Sequence, residues 1–505
     1  MKSSFTALDF IVLISYLVGT TALGVWLGRG QKDAKDYFIA GHRIPWWAIL
    51  FSVVATETSA LTLISIPGLA YLGNLTFLQI ATGYLLGRTV IAFTLLPRYY
   101  QGELVTAYTL LERRFGVGTR RFASVAFMVT RSFGDSVRLF ATAIPVALIL
   151  GGAGAGRSGT VIAVVLLGAL SLAYTYFGGM KAVVWTDIIQ TAVYLIAAIA
   201  AIILIGQAAP NGWGGILSDA SATGKLRLFD FSLGFDRPHT LWAGLIGGAF
   251  LSMASHGADQ LIVQRLLAAH SLRDAQRALI GSGIAVIFQF ALFLILGIGL
   301  FAFYQGQVFP KPDEIFPWFI IEVMPAGLTG LVVAAILAAS TASGALNSLA
   351  AATLHDLYLP LTRKSASDPG VLRISKLFTL MWAVILTGGA LLYRAQGTPV
   401  VVVALSIASF TYGGLLGGFF LGMLWRRAIQ RDAILGMATA ILIMSFVVFA
   451  RQLAPIFPAY ESQFTTLARI AWPWYVLIGT TITMIVGILS SLTHPAPTGE
   501  GHRWK

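Results

Sequence analysis

Leu337-Ala338-Ala339-Ser340-Thr341-Ala342-Ser343-Gly344 sits in the middle of an apolar run extending from roughly Gly330 to Tyr358. A helix crossing hydrocarbon gains nothing from three hydroxyls there unless something requires oxygen ligands. A desolvated hard cation does, because hydroxyl and carbonyl oxygens replace its water shell. Ser, Thr, Ala and Gly also let membrane helices approach closely. Alone, the stretch supports either ion coordination or helix packing; the rest of the chain bears on the choice.

Composition sets the class. Of 505 residues, 57% are hydrophobic and 11% are charged, against roughly a quarter charged in an ordinary soluble chain. Apolar runs long enough to cross a ~30 Å hydrocarbon core recur throughout. With no water to satisfy the backbone, such spans must be helical. The expected spans are 7–28, 45–72, 75–97, 121–151, 158–178, 182–207, 239–264, 278–304, 328–359, 374–393, 399–425, 432–450 and 472–491. This predicts an all-α integral membrane protein of about 13 transmembrane helices, with the first span retained. There is no cysteine, which excludes disulfides and thiolate chemistry. No H-E-x-x-H motif occurs, and the scattered histidines lack ligand spacing, so no enzymatic centre is read.

Charge orients the spans. Of 34 basic residues, 22 fall on the loops that include 29–43, 98–121 and 426–431, and 9 fall on the opposite side. Arg88, Arg131 and Arg138 lie within spans. The positive-inside bias places the N-terminus outside and the C-terminus in the cytoplasm. The net charge of +13 then reflects anionic lipid, not nucleic acid.

Charges inside spans are costly unless paired or hydrated. Glu57 stands in Val53-Val54-Ala55-Thr56-Glu57-Thr58-Ser59-Ala60, with Pro67-Gly68 following. Polar, small and helix-breaking residues together suggest a discontinuous helix whose freed carbonyls line a cavity; a kink with Glu57 paired to a neighbouring helix is the alternative. Arg131, Asp135 and Arg138 fall at i, i+4 and i+7, on one face, where the aspartate can neutralise either arginine. Asp187 lies near a cytoplasmic span end and is expected to be partly solvated. Arg88 and His256 find no assignable partner in the sequence, and 208–238 reads as a loop or short cap.

Several motifs then occur in order: Asp36-Tyr37-Phe38-Ile39-Ala40-Gly41-His42-Arg43; Gly178-Gly179-Met180-Lys181 through Trp185-Thr186-Asp187; Asp259-Gln260-Leu261-Ile262-Val263-Gln264-Arg265; Ser340-Thr341 through Leu346-Asn347-Ser348; and Tyr412-Gly413-Gly414-Leu415-Leu416-Gly417. Together they resemble the sodium:solute symporters, a family of proline, sugar, sialic acid, iodide, vitamin and monocarboxylate carriers. The resemblance implies a five-plus-five inverted-repeat core with broken helices. Residues 1–44 would form a flanking helix and cytoplasmic loop, 45–207 and 239–427 the two repeats, 208–238 a periplasmic loop, and 428–505 flanking helices and tail.

By that resemblance, sodium is held by main-chain oxygens of Ala55, Thr58 and Leu337 and by the hydroxyls of Ser340 and Thr341. Some members use a second sodium at positions matching Asp187 and Ser343, but Gly344 stands where they carry another serine. Candidates for the substrate cavity are Glu57, Ser59, Thr62, Gln79, Asp259, Gln260 and Tyr412. Ser59-Ala60-Leu61-Thr62 lacks the carboxamide of the sugar carriers and looks more like the monocarboxylate and vitamin carriers. The expected function is sodium-coupled import of a small organic solute, leaning toward a carboxylate, by a monomer in the inner membrane. Alternatives are a sugar or amino-acid carrier of the same fold, or a transporter-like sensor, although no kinase-like segment lies in these 505 residues.

Overall fold

The computed structural model describes residues 5–28, 34–57, 60–101, 104–151, 156–339, 343–368, 370–393 and 400–495. Among them every regular element is helical, and an isolated bridge joins Ile44 to Ala269. The principal helices are α1 (Ala7–Leu27), α2 (Trp46–Glu57), α3 (Ala60–Leu72), α4 (Leu78–Phe93), α5 (Val117–Gly151), α6 (Gly156–Ala208), α7 (Gly248–Gly257) and α8 (Gln260–Leu267). They continue as α9 (Leu272–Phe303), α10 (Leu328–Ala339), α11 (Ser343–Ala352), α12 (Val371–Leu392), α13 (Val400–Leu424), α14 (Gln430–Val448) and α15 (Trp474–Ser491). Among the described residues, seven helices are long and apolar enough to span a bilayer, or eight if α2 and α3, bent by 56° at their break, form one span. Shorter apolar helices at Leu78–Phe93, Arg157–Ala173 and Leu328–Leu337 accompany them. By length and composition these helices do not reproduce the full count of thirteen spans.

Three expected boundaries change. Spans 158–178 and 182–207 are not separated by a loop: Gly179, at φ 57° and ψ −156°, turns the chain inside α6. Only glycine reaches that conformation without a steric penalty. Span 239–264 is broken, because Asp259 leaves helical geometry (φ −92°, ψ 121°) and caps α8, its carboxylate accepting from the Leu261 amide at 2.8 Å. Segment 208–238 is more than a loop, since it contains a helix at Gly212–Ala222.

Packing follows the small residues. A Cβ on Gly83 would lie 2.0 Å from the Gly244 carbonyl, and one on Gly87 2.3 Å from that of Ala249. The two glycines therefore let α4 press directly on α7 and on the helical turn Ala243–Gly247 that precedes it. Helix α13 packs against α5, α14 and α15, and α9 packs against α2, α3 and α4. Near the start of α1, the buried Asp9 carboxylate accepts the Gly327 and Gly330 amides at 2.7 and 2.8 Å. It caps α10, satisfying donors that hydrocarbon would leave orphaned.

Candidate functional site

A cavity lies where α2, α3, α5, α7 and α13 converge, and its wall includes Thr56, Glu57, Thr62, Arg131, Asp135, Arg138, His256 and Tyr412. The i, i+4, i+7 spacing puts Arg131, Asp135 and Arg138 of α5 on one face, as the sequence predicts. Asp135 lies 3.7 Å from both Arg131 and Arg138. Yet Arg131 has a stronger partner: its Nε donates to Asp259 at 3.1 Å, a second nitrogen pairs with the same carboxylate, and the Tyr412 hydroxyl accepts at 2.8 Å. Tyr412 in turn donates to Asp259. Arg138 retains only Asp135 as an ion-pair partner among the described residues, with 22% of its side chain exposed.

Another part of the wall is built from residues far apart in sequence. Glu57 ends α2 and pairs with Arg88 of α4, which is fully buried and also donates to the Ser282 hydroxyl at 2.7 Å. His256 of α7 brings Nε2 to 3.8 Å from Glu57. The Thr62 hydroxyl donates to the Glu57 carbonyl at 3.2 Å. So the alternative noted for Glu57, pairing to a neighbouring helix, is realised while the carboxylate still faces the cavity. A lone arginine in an apolar helix was the signal; its partner was not legible.

A second buried cluster joins α2, α6, α8 and α11. Arg265 donates through Nε to the Ser52 hydroxyl at 3.0 Å, to the Leu261 carbonyl at 2.8 Å and to Asp187 at 3.2 Å. Ser52 also donates to Asp187, at 2.6 Å. Asp187 is only 6% exposed, which corrects the expectation of partial solvation: α8 carries an arginine over it. A Cβ at Gly344 would sit 2.3 Å from the Arg265 guanidinium. The missing side chain is the space that the arginine uses.

Three expected cavity residues point elsewhere. Gln79 is 2% exposed and donates to the Thr76 and His239 carbonyls at 3.1 and 3.0 Å, while accepting the Asp230 amide. Gln260 accepts the Ala107 amide at 2.7 Å and donates to the Val105 carbonyl at 3.0 Å. Asp259 stands behind the wall, holding Arg131. Each polar side chain was already claimed by backbone or by a charge that no local pattern reveals. Of the expected sodium ligands, Ala55 is buried just before the break that follows α2, and Leu337 is buried near the end of α10. Thr58, Ser59, Ser340 and Thr341 lie outside the described residues, and Ser343 opens α11. Helices α3 and α10 pack together.

The sequence profile of the sodium:solute symporter family matches residues 37–440. The chain belongs to that family. A sodium/sialic acid symporter of Aliivibrio fischeri is 31% identical over 97% of the chain and 94% of its own length. Human sodium-coupled monocarboxylate transporter 1 is 26% identical over 97% of the chain and 88% of its length. A solved structure of a Na+-coupled sialic acid symporter, substrate-bound and outward-open, superposes with a TM-score of 0.84 at 27% identity, covering 97% of this chain and 99% of that one. The chain is therefore a multi-pass membrane protein and a sodium-coupled solute symporter, with sodium among the species it moves. In this symporter the cavity is bounded by the helix that breaks after Glu57, and the Asp187–Arg265 pair closes a separate position.

Proposed function

We propose that this symporter imports a small organic anion bearing one carboxylate, with Arg138 as its recognition point. The observation that carries the reading is the charge inventory. Around the cavity three arginines (Arg88, Arg131, Arg138) meet three carboxylates (Glu57, Asp135, Asp259). A sodium ion adds one positive charge to a low-dielectric site, and a monoanion restores balance, which is the cheapest way to desolvate both. Arg138 is the arginine open to the cavity, since Arg131 is spent on Asp259, while Arg88, paired with Glu57 and Ser282, is fully buried and lies outside the cavity lining. The matched relatives carry sialic acid and monocarboxylates, both acids.

Sodium would sit in the groove between the break after α2 and the helix that carries Ser340 and Thr341, held by the carbonyls of Ala55, Thr58 and Leu337 and the hydroxyls of Ser340 and Thr341. The five-helix repeats at 45–207 and 239–427 would rock about it, in a monomer of the inner membrane with the N-terminus outside. Adjacent hydroxyls point about 100° apart on a helix, so both reach one ion only in a groove against a partner helix. Removing one ligand costs on the order of 1–3 kcal/mol. Thr341→Ala should therefore raise the sodium concentration for half-maximal uptake by about five- to a hundredfold with little change in protein level. Unchanged sodium dependence in both Thr341→Ala and Ser340→Ala would sink the ion-site reading.

A further inference from the structure

Two polar atoms on the cavity wall are buried without a hydrogen-bond partner: His256 Nε2 and Asp135 Oδ2. Buried polar atoms are nearly always satisfied, so two orphans facing one cavity point to a ligand that completes them. The His256 ring can be read further. Its Nδ1 lies 3.1 Å from the Ser252 carbonyl, an acceptor only, and 2.8 Å from the Ser255 hydroxyl. The carbonyl requires a proton on Nδ1, which in a neutral imidazole leaves a lone pair on Nε2. That lone pair faces the Glu57 carboxylate at 3.8 Å. Two acceptors stand close together, and of the two only Glu57 has a donor, Arg88.

We infer that this symporter selects carboxylates carrying a hydroxyl beside the acid group, with the hydroxyl donating into the gap between His256 and Glu57. The inference rests on the carboxylate reading above and extends it. A hydroxyl suits the gap better than an ammonium does, because the charge of Glu57 is already met by Arg88. A zwitterion would also leave the sodium charge uncompensated, whereas a hydroxy acid remains a monoanion. Asp135 Oδ2, on the α5 wall beside Arg138, accepts a further donor from a larger polyhydroxylated substrate. A plain alkyl carboxylate fills the same space and leaves His256 Nε2 without a donor, and a site built to bond a hydroxyl rejects the analogue that lacks it.

The test is sodium-dependent uptake competition in proteoliposomes with the purified full chain, using length-matched pairs: glycolate against acetate, lactate against propionate, 2-hydroxybutyrate against butyrate, with alanine as the amino counterpart. In the native protein each hydroxy acid should compete at a concentration at least about tenfold lower than its parent, and alanine should compete no better than propionate. In His256→Phe and in Glu57→Gln that ratio should fall to within about threefold; either variant suffices if the other does not fold. Equal competition within pairs, preference for alanine, or a ratio untouched by the folded variants overturns the inference while leaving the carboxylate reading intact. If no carboxylate competes, the carboxylate reading itself falls and takes this one with it.

Discussion

Two buried arginine–carboxylate clusters of this symporter, one around Asp187 and one along α5, are built from the same residue types and end in opposite conditions. At Asp187 and Arg265, three guanidinium nitrogens have acceptors, the carboxylate has two donors, and packing is tight enough that Gly344 has no room for a Cβ. Along α5, Asp135 is shared between two arginines at 3.7 Å, one of its oxygens is orphaned, and Arg138 stays partly open to the cavity. Saturation marks a structural lock, and spare capacity beside a cavity marks a site prepared for something else. Burial alone does not separate them, since Asp135 is less exposed than Asp187.

The sharpest way to break this contrast is to remove one partner of the lock. Arg265→Met strands a buried carboxylate, at a cost of about 3–5 kcal/mol. Heat-stable protein recovered in detergent should drop severely. Adding Asp187→Asn should restore most of it, because a neutral side chain can keep the Ser52 hydrogen bond. A single variant as stable as the parent would mean that the lock is not structural.

The corresponding change on the open side should behave differently. Arg138→Gln leaves Asp135 beside Arg131 and should cost less than about 1 kcal/mol of stability, as weakly paired charges do. Transport is where it should show, because a charge-assisted hydrogen bond to the substrate is worth about 1.5–3 kcal/mol. The KM for the carboxylate should rise by about ten- to a hundredfold. A stability loss as large as that of Arg265→Met, with an unchanged KM, would erase the distinction.

A third pair, outside both clusters, sets the lower end of the scale. His494 lies beyond α15, with Nδ1 2.9 Å from the Pro495 carbonyl and Nε2 2.9 Å from Asp432. Those partners, the carbonyl first and then the carboxylate, hold its pKa above the ordinary imidazole value. The folded state therefore binds the proton more tightly than the unfolded one. The stabilisation is complete below about pH 6.5 and is lost as pH rises through the folded-state value. Melting temperature should decline slightly over that window in the native protein and should lose this component in His494→Gln. A native curve that instead climbs over the window, with the variant matching it, would refute the assignment.

Local sequence was enough to determine the all-helical membrane class, the break that follows α2 and the family, but not the full set of spans or the turns at Gly179 and Asp259. Composition, apolar length and the small polar runs at 55–60 and 337–344 act over one or two turns, and the bilayer admits few solutions. The face shared by Arg131, Asp135 and Arg138 was legible for the same reason, since helical period places residues without reference to anything distant. Partner choice was not. That Arg131 takes Asp259, that Arg88 and His256 converge on Glu57, that Arg265 covers Asp187, and that Gln79 and Gln260 turn to backbone depend on which helices touch. Those contacts are set by glycine faces on separate helices, such as Gly83 and Gly87 against the segment around Gly244 and Ala249. Periodicity specifies the direction in which a side chain leaves its own helix; only the packed structure specifies what waits there.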